Sequence, residues 1–525
     1  RDQLISSTLP YLELTTGEAR LNAEYSSYAT RSFFGRFNYT LNDRYILEAT
    51  GRYDGSSRFP STNRWGFFPS VSGAWIVSNE PFFEHLKPAF SNWKLRASYG
   101  SLGNQAVGDF SYIQTMGTAL SGYLIDGAQR QVITGAPSLT IDPLNYTWEN
   151  VATLNFGTDI GLLRDRIFAG FDYFIRETTG MLTAGEQLPS VLGTAVPRQN
   201  AADLRTKGWE LSLTYRDNYV VASKPFGLEA KLVLSDSRAH ITKFKNDQRL
   251  LSTYFEGYEF GTLYGLVGDG FFKSQEEIDQ LDQTAIIPWG ALDIVPGWPK
   301  FKDLDGDGKI ELGQTADDMK DRTIIGNTAD RYRIGLNLNM DWNGFDASIF
   351  MQGVLKRDFY PQHYLFWGPY QQPYANVYPW HLDHYRATDD TPEQMAKHSA
   401  AYIAAGLANA NLDASYPVLQ SWLADYNYVD GSGSRAGLAI PNTRYLLNGA
   451  YLRIKNITLG YSLPQSVIQR WGMGRLRFFI TAENIFEFSE VKKFVDPESI
   501  NNSTDNSAWA YPFQRRLAFG LNVGF

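Results

Sequence analysis

The 525 residues include no cysteine. That excludes disulfide scaffolds, zinc–thiolate centres and thiol nucleophiles, and leaves the compartment open. Histidine is scarce, at six, and no Ser/His/acid constellation can be assembled from so few positions without a fold, so a hydrolase has no positive support. No run of about 18 apolar residues occurs, which rules out a transmembrane helix. A transmembrane β-barrel survives that test, because its strands alternate and never produce such a run. Positive charge is in deficit, with 48 Lys and Arg against 56 Asp and Glu and a net charge of −8. A mildly acidic chain disfavours nucleic acid as a partner. The chain opens at Arg1 without a basic-then-apolar leader, so any signal peptide is expected to have been removed or to lie upstream.

Aromatics and glycine are plentiful: 33 Phe, 31 Tyr, 13 Trp and 46 Gly. Many stretches alternate with period 2, the signature of a half-buried strand. In RYRIGLNLNMD, Tyr332, Ile334, Leu336, Leu338 and Met340 fall on one face, opposite Arg331, Arg333, Gly335, Asn337, Asn339 and Asp341. At the C-terminus Phe513, Leu517, Phe519, Leu521, Val523 and Phe525 share a face, with Arg515 as its polar member. Long strands are expected to begin near residues 31, 44, 65, 92, 148, 167, 206, 226, 330, 345, 449, 475 and 513. Most runs are nearer the roughly 9–11 residues that cross a bilayer than the usual globular strand of about 5–6. Aromatics often stand near their ends (Tyr45 and Tyr53, Trp209 and Tyr215), as interfacial girdles do.

Alternation alone fits a large soluble sandwich equally well. Connection lengths separate the two. Short links (LNDR, NEPFFEHLKP, LLRDR, DNYVVASKP, DWNGF, LPQSVIQRWGMG) alternate with long ones near 54–64, 102–147, 177–205, 237–329, 354–448 and 487–512. Asn343-Gly344 is a strong hairpin signal. Short turns on one side and long loops on the other describe an outer-membrane barrel with periplasmic turns and extracellular loops. The fold class is therefore all-β, a transmembrane antiparallel barrel. With short turns facing the periplasm, the strand at 31–41 and the last strand both run toward the periplasm. An odd count of about thirteen strands does not close, so the expectation is the C-terminal part of a larger barrel. Residues 1–30 are then an extracellular loop or partial strand, with PYLELT (Pro10 to Thr15) as a weak strand candidate, and 31–525 form the barrel region.

Several motifs carry a resemblance. RYDGSSRF (Arg52 to Phe59), RWGFFPSVSGAW (Arg64 to Trp75), WKLRASYGSLGN (Trp93 to Asn104), FKDLDGDGKI (Phe301 to Ile310), IIGN (Ile324 to Asn327), LRIKNITLGYSLP (Leu452 to Pro464) and TAENIF (Thr481 to Phe486) occur in order along the chain. Together they resemble SusC-like (SusC/RagA family) TonB-dependent outer-membrane transporters. The resemblance implies the C-terminal barrel portion of a 22-stranded plugged transporter, located in the bacterial outer membrane among its lipids. It further implies an upstream plug-containing portion of the same transporter, not recognisable in this chain. Its other implications are a SusD-like surface lipoprotein, TonB with its inner-membrane energising complex, and an oligosaccharide or peptide ligand. No chemistry on the ligand is expected. A passive porin and a soluble aromatic-rich polysaccharide-binding β-protein are the rival readings.

Three local features merit placement in the fold. DLDGDGKIE sets Asp303, Asp305 and Asp307 at positions 1, 3 and 5 of an EF-hand-type loop, Gly308 at 6 and the Lys309 carbonyl at 7. Position 12 is Gln314 rather than Glu, with Asp317 or Asp318 as substitutes. A structural Ca²⁺ or Mg²⁺ is one reading and a solvated Asx-rich turn the other. The segment His363 to Tyr385 is packed with Tyr364, Trp367, Tyr370, Tyr374, Tyr378 and Trp380. Such rings suit sugar stacking, a protein interface, or the loop's own core. His381 and His384 have the spacing of metal ligands only if helical. The inward-facing charges Arg331, Arg333, Asp341, Arg475, Arg477 and Glu483 suit a polar lumen. Phe525, ending an alternating apolar run, resembles the C-terminal signal by which barrels reach the insertion machinery. Gly431 to Gly437 lacks the strand and helix of a phosphate loop.

Overall fold

A computed structural model describes residues 26–113, 116–125, 129–137, 146–184, 198–288, 292–387, 392–425, 436–500 and 513–525. The expected strand at Pro10 to Thr15 and most of the Gly431 to Gly437 segment lie outside the described residues.

Period-2 alternation leaves each strand with one apolar and one polar face, and pairing neighbours in matching phase builds a two-faced wall. Thirteen strands do this in one antiparallel sheet, each beside its chain neighbour in the wall. They are β1 (Thr30–Leu41), β2 (Tyr45–Ser56), β3 (Trp65–Ile76), β4 (Phe90–Asn104), β5 (Glu149–Leu162), β6 (Ile167–Ala184) and β7 (Arg198–Val221). The series continues with β8 (Lys224–Lys243), β9 (Arg331–Trp342), β10 (Phe345–Lys356), β11 (Tyr451–Ser462), β12 (Arg475–Ser489) and β13 (Arg516–Gly524). The outer edges of β1 and β13 are not paired with each other. Register carries the apolar rows across the wall. Leu213 faces Leu232, Leu232 faces Leu336, and Leu336 faces Met351. Leu459 faces Ile480, which faces Phe519. These side chains remain open to the outside, Leu459 at 56% and Phe519 at 74%.

The hairpins at one end are tight. Asn343 and Gly344 take φ of 47° and 88° between the paired Trp342 and Phe345, a type I′ turn. The DNYVVASKP link is much shorter than its sequence suggests. Pairing continues to Val221 and Lys224, and only Ala222 and Ser223 turn, at φ 50° and 60°. Two other short links contain helical turns, Pro81–Leu86 and Gln465–Ile468. At the other end β7 and β8 run to 24 and 20 residues. That is about twice what a bilayer needs, so these strands rise beyond any membrane as a rim.

The last strand starts later than its pattern suggests. Phe513 leaves the apolar row, and its ring lies 5.0 Å from the Arg453 guanidinium carbon and 4.7 Å from Lys455 Nζ. That cation–π contact competes with continued pairing. The principal core sits among the long loops rather than within the wall. Leu266, Phe272, Trp298, Ile310, Trp367, Tyr370, Tyr416, Leu438 and Phe494 pack in one buried cluster. It draws on three segments, 244–330, 357–450 and 490–500.

Candidate functional site

The polar face of the wall carries cross-strand ion pairs. Arg36 meets Glu48 at 2.5 Å between β1 and β2. Arg96 on β4 forks to Asp159 on β5 and Asp172 on β6, at 2.9 and 3.0 Å. Arg216 on β7 pairs with Glu229 on β8, and Arg477 on β12 reaches Asp346 on β10 at 2.8 Å. Two glycines make room for this. A Cβ at Gly157 would lie 2.8 Å from the Arg96 guanidinium carbon, and one at Gly460 would lie 2.5 Å from an Arg477 nitrogen. A face so lined is wettable and has its charges largely neutralised pairwise, which suits passage of a polar solute.

Of the charges expected inside, Arg477 takes that place. Arg331 does not. It is 7% exposed and held by Asp236 of β8, beside Tyr332 at φ 53°. The left-handed residue disturbs the alternation there, so phase read from sequence fails at the start of β9. Arg333 is bonded to Asp330 at 3.2 Å.

The aromatic segment divides. Trp367 and Tyr370 are fully buried, with Trp367 Nε1 donating to the Pro361 carbonyl at 2.8 Å and the Tyr370 hydroxyl to the Pro417 carbonyl at 2.9 Å. They are core, not contact surface. Trp380 is half-buried; its Nε1 donates to the Leu365 carbonyl, and its ring stacks on Tyr378 at 4.9 Å. Tyr364 is half-buried. Tyr374 alone of the six stands out, 75% exposed, with its ring 6.4 Å from that of Trp422. His381 has both ring nitrogens committed to backbone: Nδ1 accepts from Tyr378 N and Nε2 donates to the Phe366 carbonyl. Its burial lowers the imidazole pKa.

The acidic loop is ordered by its own backbone. Asp303 accepts from Gly306 N at 2.6 Å and Gly308 N at 2.8 Å, and those bonds hold its carboxyl below the usual range. Asp307 accepts from Lys309 N at 2.9 Å. Ile310 then plunges into the loop core. Asp303 and Asp305 converge with Asp321, their ligand oxygens within 4.8 Å of one another. Asp321 escaped the sequence pattern because no EF-hand position falls there. It is 1% exposed and accepts from Leu304 N and Glu311 N. Asp317 pairs instead with Arg249, and Asp318 N donates to Thr315 Oγ1. Lys320 beside Asp305 has its pKa raised by that charge.

A further cluster was illegible in sequence. Arg453, 2% exposed at the rim end of β11, is ringed by Glu487, Asp496 and Glu498. It ties the 490–500 segment to the wall.

Comparison with known proteins places this geometry. A family model described as TonB dependent receptor-like, beta-barrel, matches residues 4–274. TonB-dependent receptor P26 of Formosa agariphila is 28% identical over 532 residues, covering 96% of this chain and 47% of that protein. TonB-dependent receptor SusC of Bacteroides thetaiotaomicron is 27% identical over 531 residues, covering 96% of this chain and 45% of its own length. In three dimensions the chain is similar to a structure of the RagAB peptide transporter, with a TM-score of 0.70 at 22% identity over 99% of this chain and 50% of that one. The chain thus spans about half the length of the curated relatives it matches.

Proposed function

Because the chain belongs to the TonB dependent receptor-like β-barrel family, an outer-membrane family that is not enzymatic, we propose that it supplies wall and extracellular loops to a SusC-like nutrient importer. The observation that carries this reading is the wall itself: apolar rows outside, ion-paired polar rows inside, and an ordered loop core beyond one end. In the proposed mechanism the long loops and a SusD-like lipoprotein enclose an oligosaccharide or peptide. The plug-containing portion of the same transporter blocks the lumen until TonB, driven by its inner-membrane complex, displaces it. The residues described here contribute a wetted passage and a rigid vestibule, and no bond of the cargo is broken.

The test is growth on a panel of glycans and peptides as sole nutrient. Cells lacking this protein should lose growth on one class, and cells lacking TonB should lose it on the same class. Growth that survives loss of TonB sinks the reading in favour of a passive pore.

We also propose a structural Ca²⁺ or Mg²⁺ at the acidic loop, with Asp303, Asp305 and Asp321 as carboxylate ligands. Three hard oxygen donors within 4.8 Å of one another fit such an ion. Its role is to stiffen the loop at the edge of the vestibule.

A further inference from the structure

The outward face is not uniform. Two adjacent rows cross β9 to β13 just above the tight Asn343-Gly344 turn. The lower row runs Trp342, Phe345, Tyr461, Phe478 and Leu521. The upper runs Met340, Ala347, Leu459, Ile480 and Phe519. Nine of these ten side chains are large, and Ala347 is a single methyl. The result is a groove of about 670 Å³, lined almost wholly by apolar atoms, with Ala347 among its lining residues and Phe226, Trp342 and Leu459 around it. Its walls are braced. Phe345 packs on Tyr461 at 4.5 Å, and Trp342 Nε1 donates to the Val221 carbonyl at 3.1 Å.

Depth and charge identify an occupant. The groove abuts two-residue turns, which face the periplasm in such barrels, so it opens into the periplasmic leaflet. Its lower row includes Trp342 and Tyr461, the two amphipathic ring types found at headgroup level. Two cations stand at the turn end of the wall nearby in the strand order. Lys224 precedes Phe226 by two residues on the same face of β8, and Arg470 lies in the link between β11 and β12. Both are exposed, and neither side chain makes an ion pair or hydrogen bond among the described residues. We propose that this groove holds one phospholipid of the periplasmic leaflet, an acyl chain lying over Ala347 and the phosphate between Lys224 and Arg470. A fixed lipid here would fill what is otherwise a notch in the wall and anchor the five strands that follow the largest loops.

The test uses the full-length protein in vesicles of phosphatidylethanolamine and phosphatidylglycerol carrying a diazirine in the acyl chain. After photolysis, peptides containing Met340 to Ala347 and Leu459 to Tyr461 should carry on the order of tenfold more label than the peptide around Ala169, another small outward residue. Ala347→Trp should remove that excess, and Ala169→Trp should leave it. Lys224→Gln with Arg470→Gln lies outside the membrane-buried wall and should reduce the excess severalfold, which keeps the proposal testable if Ala347→Trp assembles poorly. Heat-modifiable migration reports folding in each case. Even labelling around the wall, or an excess indifferent to both the groove and the cation variants, would mean bulk lipid only and overturn the proposal.

Discussion

Removing the guanidinium of Arg453 should unlatch the 490–500 segment. Arg453 Nη2 bonds Asp496 at 2.7 Å and Nη1 bonds Glu498 at 3.0 Å, while Glu487 is held by Nε and Nη2. Lys455, 2.8 Å from Glu498, is the only other cation ion-paired with these three acids among the described residues. Arg453→Met keeps the aliphatic stem of the side chain, removes the guanidinium together with its contact on Phe513, and leaves three carboxylates around one lysine. Breaking a buried ion pair by deleting one partner costs about 3–5 kcal/mol. Glu487 retains 23% exposure and can rehydrate, so the lower end, about 3 kcal/mol, is expected. At about 1.4 kcal/mol per tenfold, amide exchange across 490–500 should accelerate roughly a hundredfold. The change should reach Val491, Val495 and Ile500, which share a buried cluster with Phe359, and Phe494, which enters the main loop core. Strands β5 to β8 should be unaffected. Neutralising the acids as well (Glu487→Gln, Asp496→Asn and Glu498→Gln) should restore most of the protection. Exchange unchanged in Arg453→Met would refute the latch, and a defect that the added neutral residues fail to repair would show that packing, not charge, holds the segment.

Other outcomes follow from the same geometry. His363 is 2% exposed, with neither ring nitrogen hydrogen-bonded among the described residues, and burial depresses its pKa to about 4. The unfolded imidazole takes a proton below about 6.5, so the loop core should lose stability as pH falls from about 6.5 to about 4, by on the order of 3 kcal/mol; His363→Leu should flatten that dependence in hydrogen exchange. Added Ca²⁺ should slow proteolysis of residues 302–321 about tenfold, and Asp303→Asn with Asp305→Asn should abolish the effect; cleavage indifferent to Ca²⁺ and chelator removes the ion from the account. Leu338→Arg on the outward face should destabilise folding into liposomes by about 2–4 kcal/mol, whereas Asn337→Arg on the polar face should cost far less. Equal losses in urea titrations would mean the two faces are misassigned.

Thirteen strands were legible because a two-sided wall forces period 2 on every strand, whatever lies above it. Turns were legible only where the residue itself favours positive φ. Asn343-Gly344 announces its turn; Ala222-Ser223 does the same thing with side chains that give no signal. The loop cluster was half legible. Its richness in rings was plain, yet nothing local distinguishes Trp367 in the core from Tyr374 on the surface, since the difference is made by Tyr416 and Tyr445, far along the chain. Long-range ion pairs were invisible for the same reason. Arg331 and Asp236 stand 95 residues apart, and Asp321 joins Asp303 and Asp305 only because the intervening loop doubles back.

The two free edges of the sheet set the last requirement. In an antiparallel ladder alternate residues turn their N–H and C=O groups to opposite sides, so among the described residues the 12 residues of β1 leave about six of each without a strand partner along the outer edge. In hydrocarbon each such group costs several kcal/mol, tens of kcal/mol for the edge, against a total folding stability of roughly 5–15 kcal/mol. The edge of β13 carries a similar load. No arrangement of side chains offsets this; only strand pairing does. Residues 1–525 refolded alone into liposomes should therefore give no discrete heat-modifiable monomer, and should associate through their edges into larger species by crosslinking. The same residues joined to a segment that supplies partner strands to both edges should, in the same lipid, migrate as a single compact form. A compact, monomeric, pore-forming species from the 525 residues alone would show that β1 and β13 can meet, and would overturn the account of this sheet as part of a larger wall.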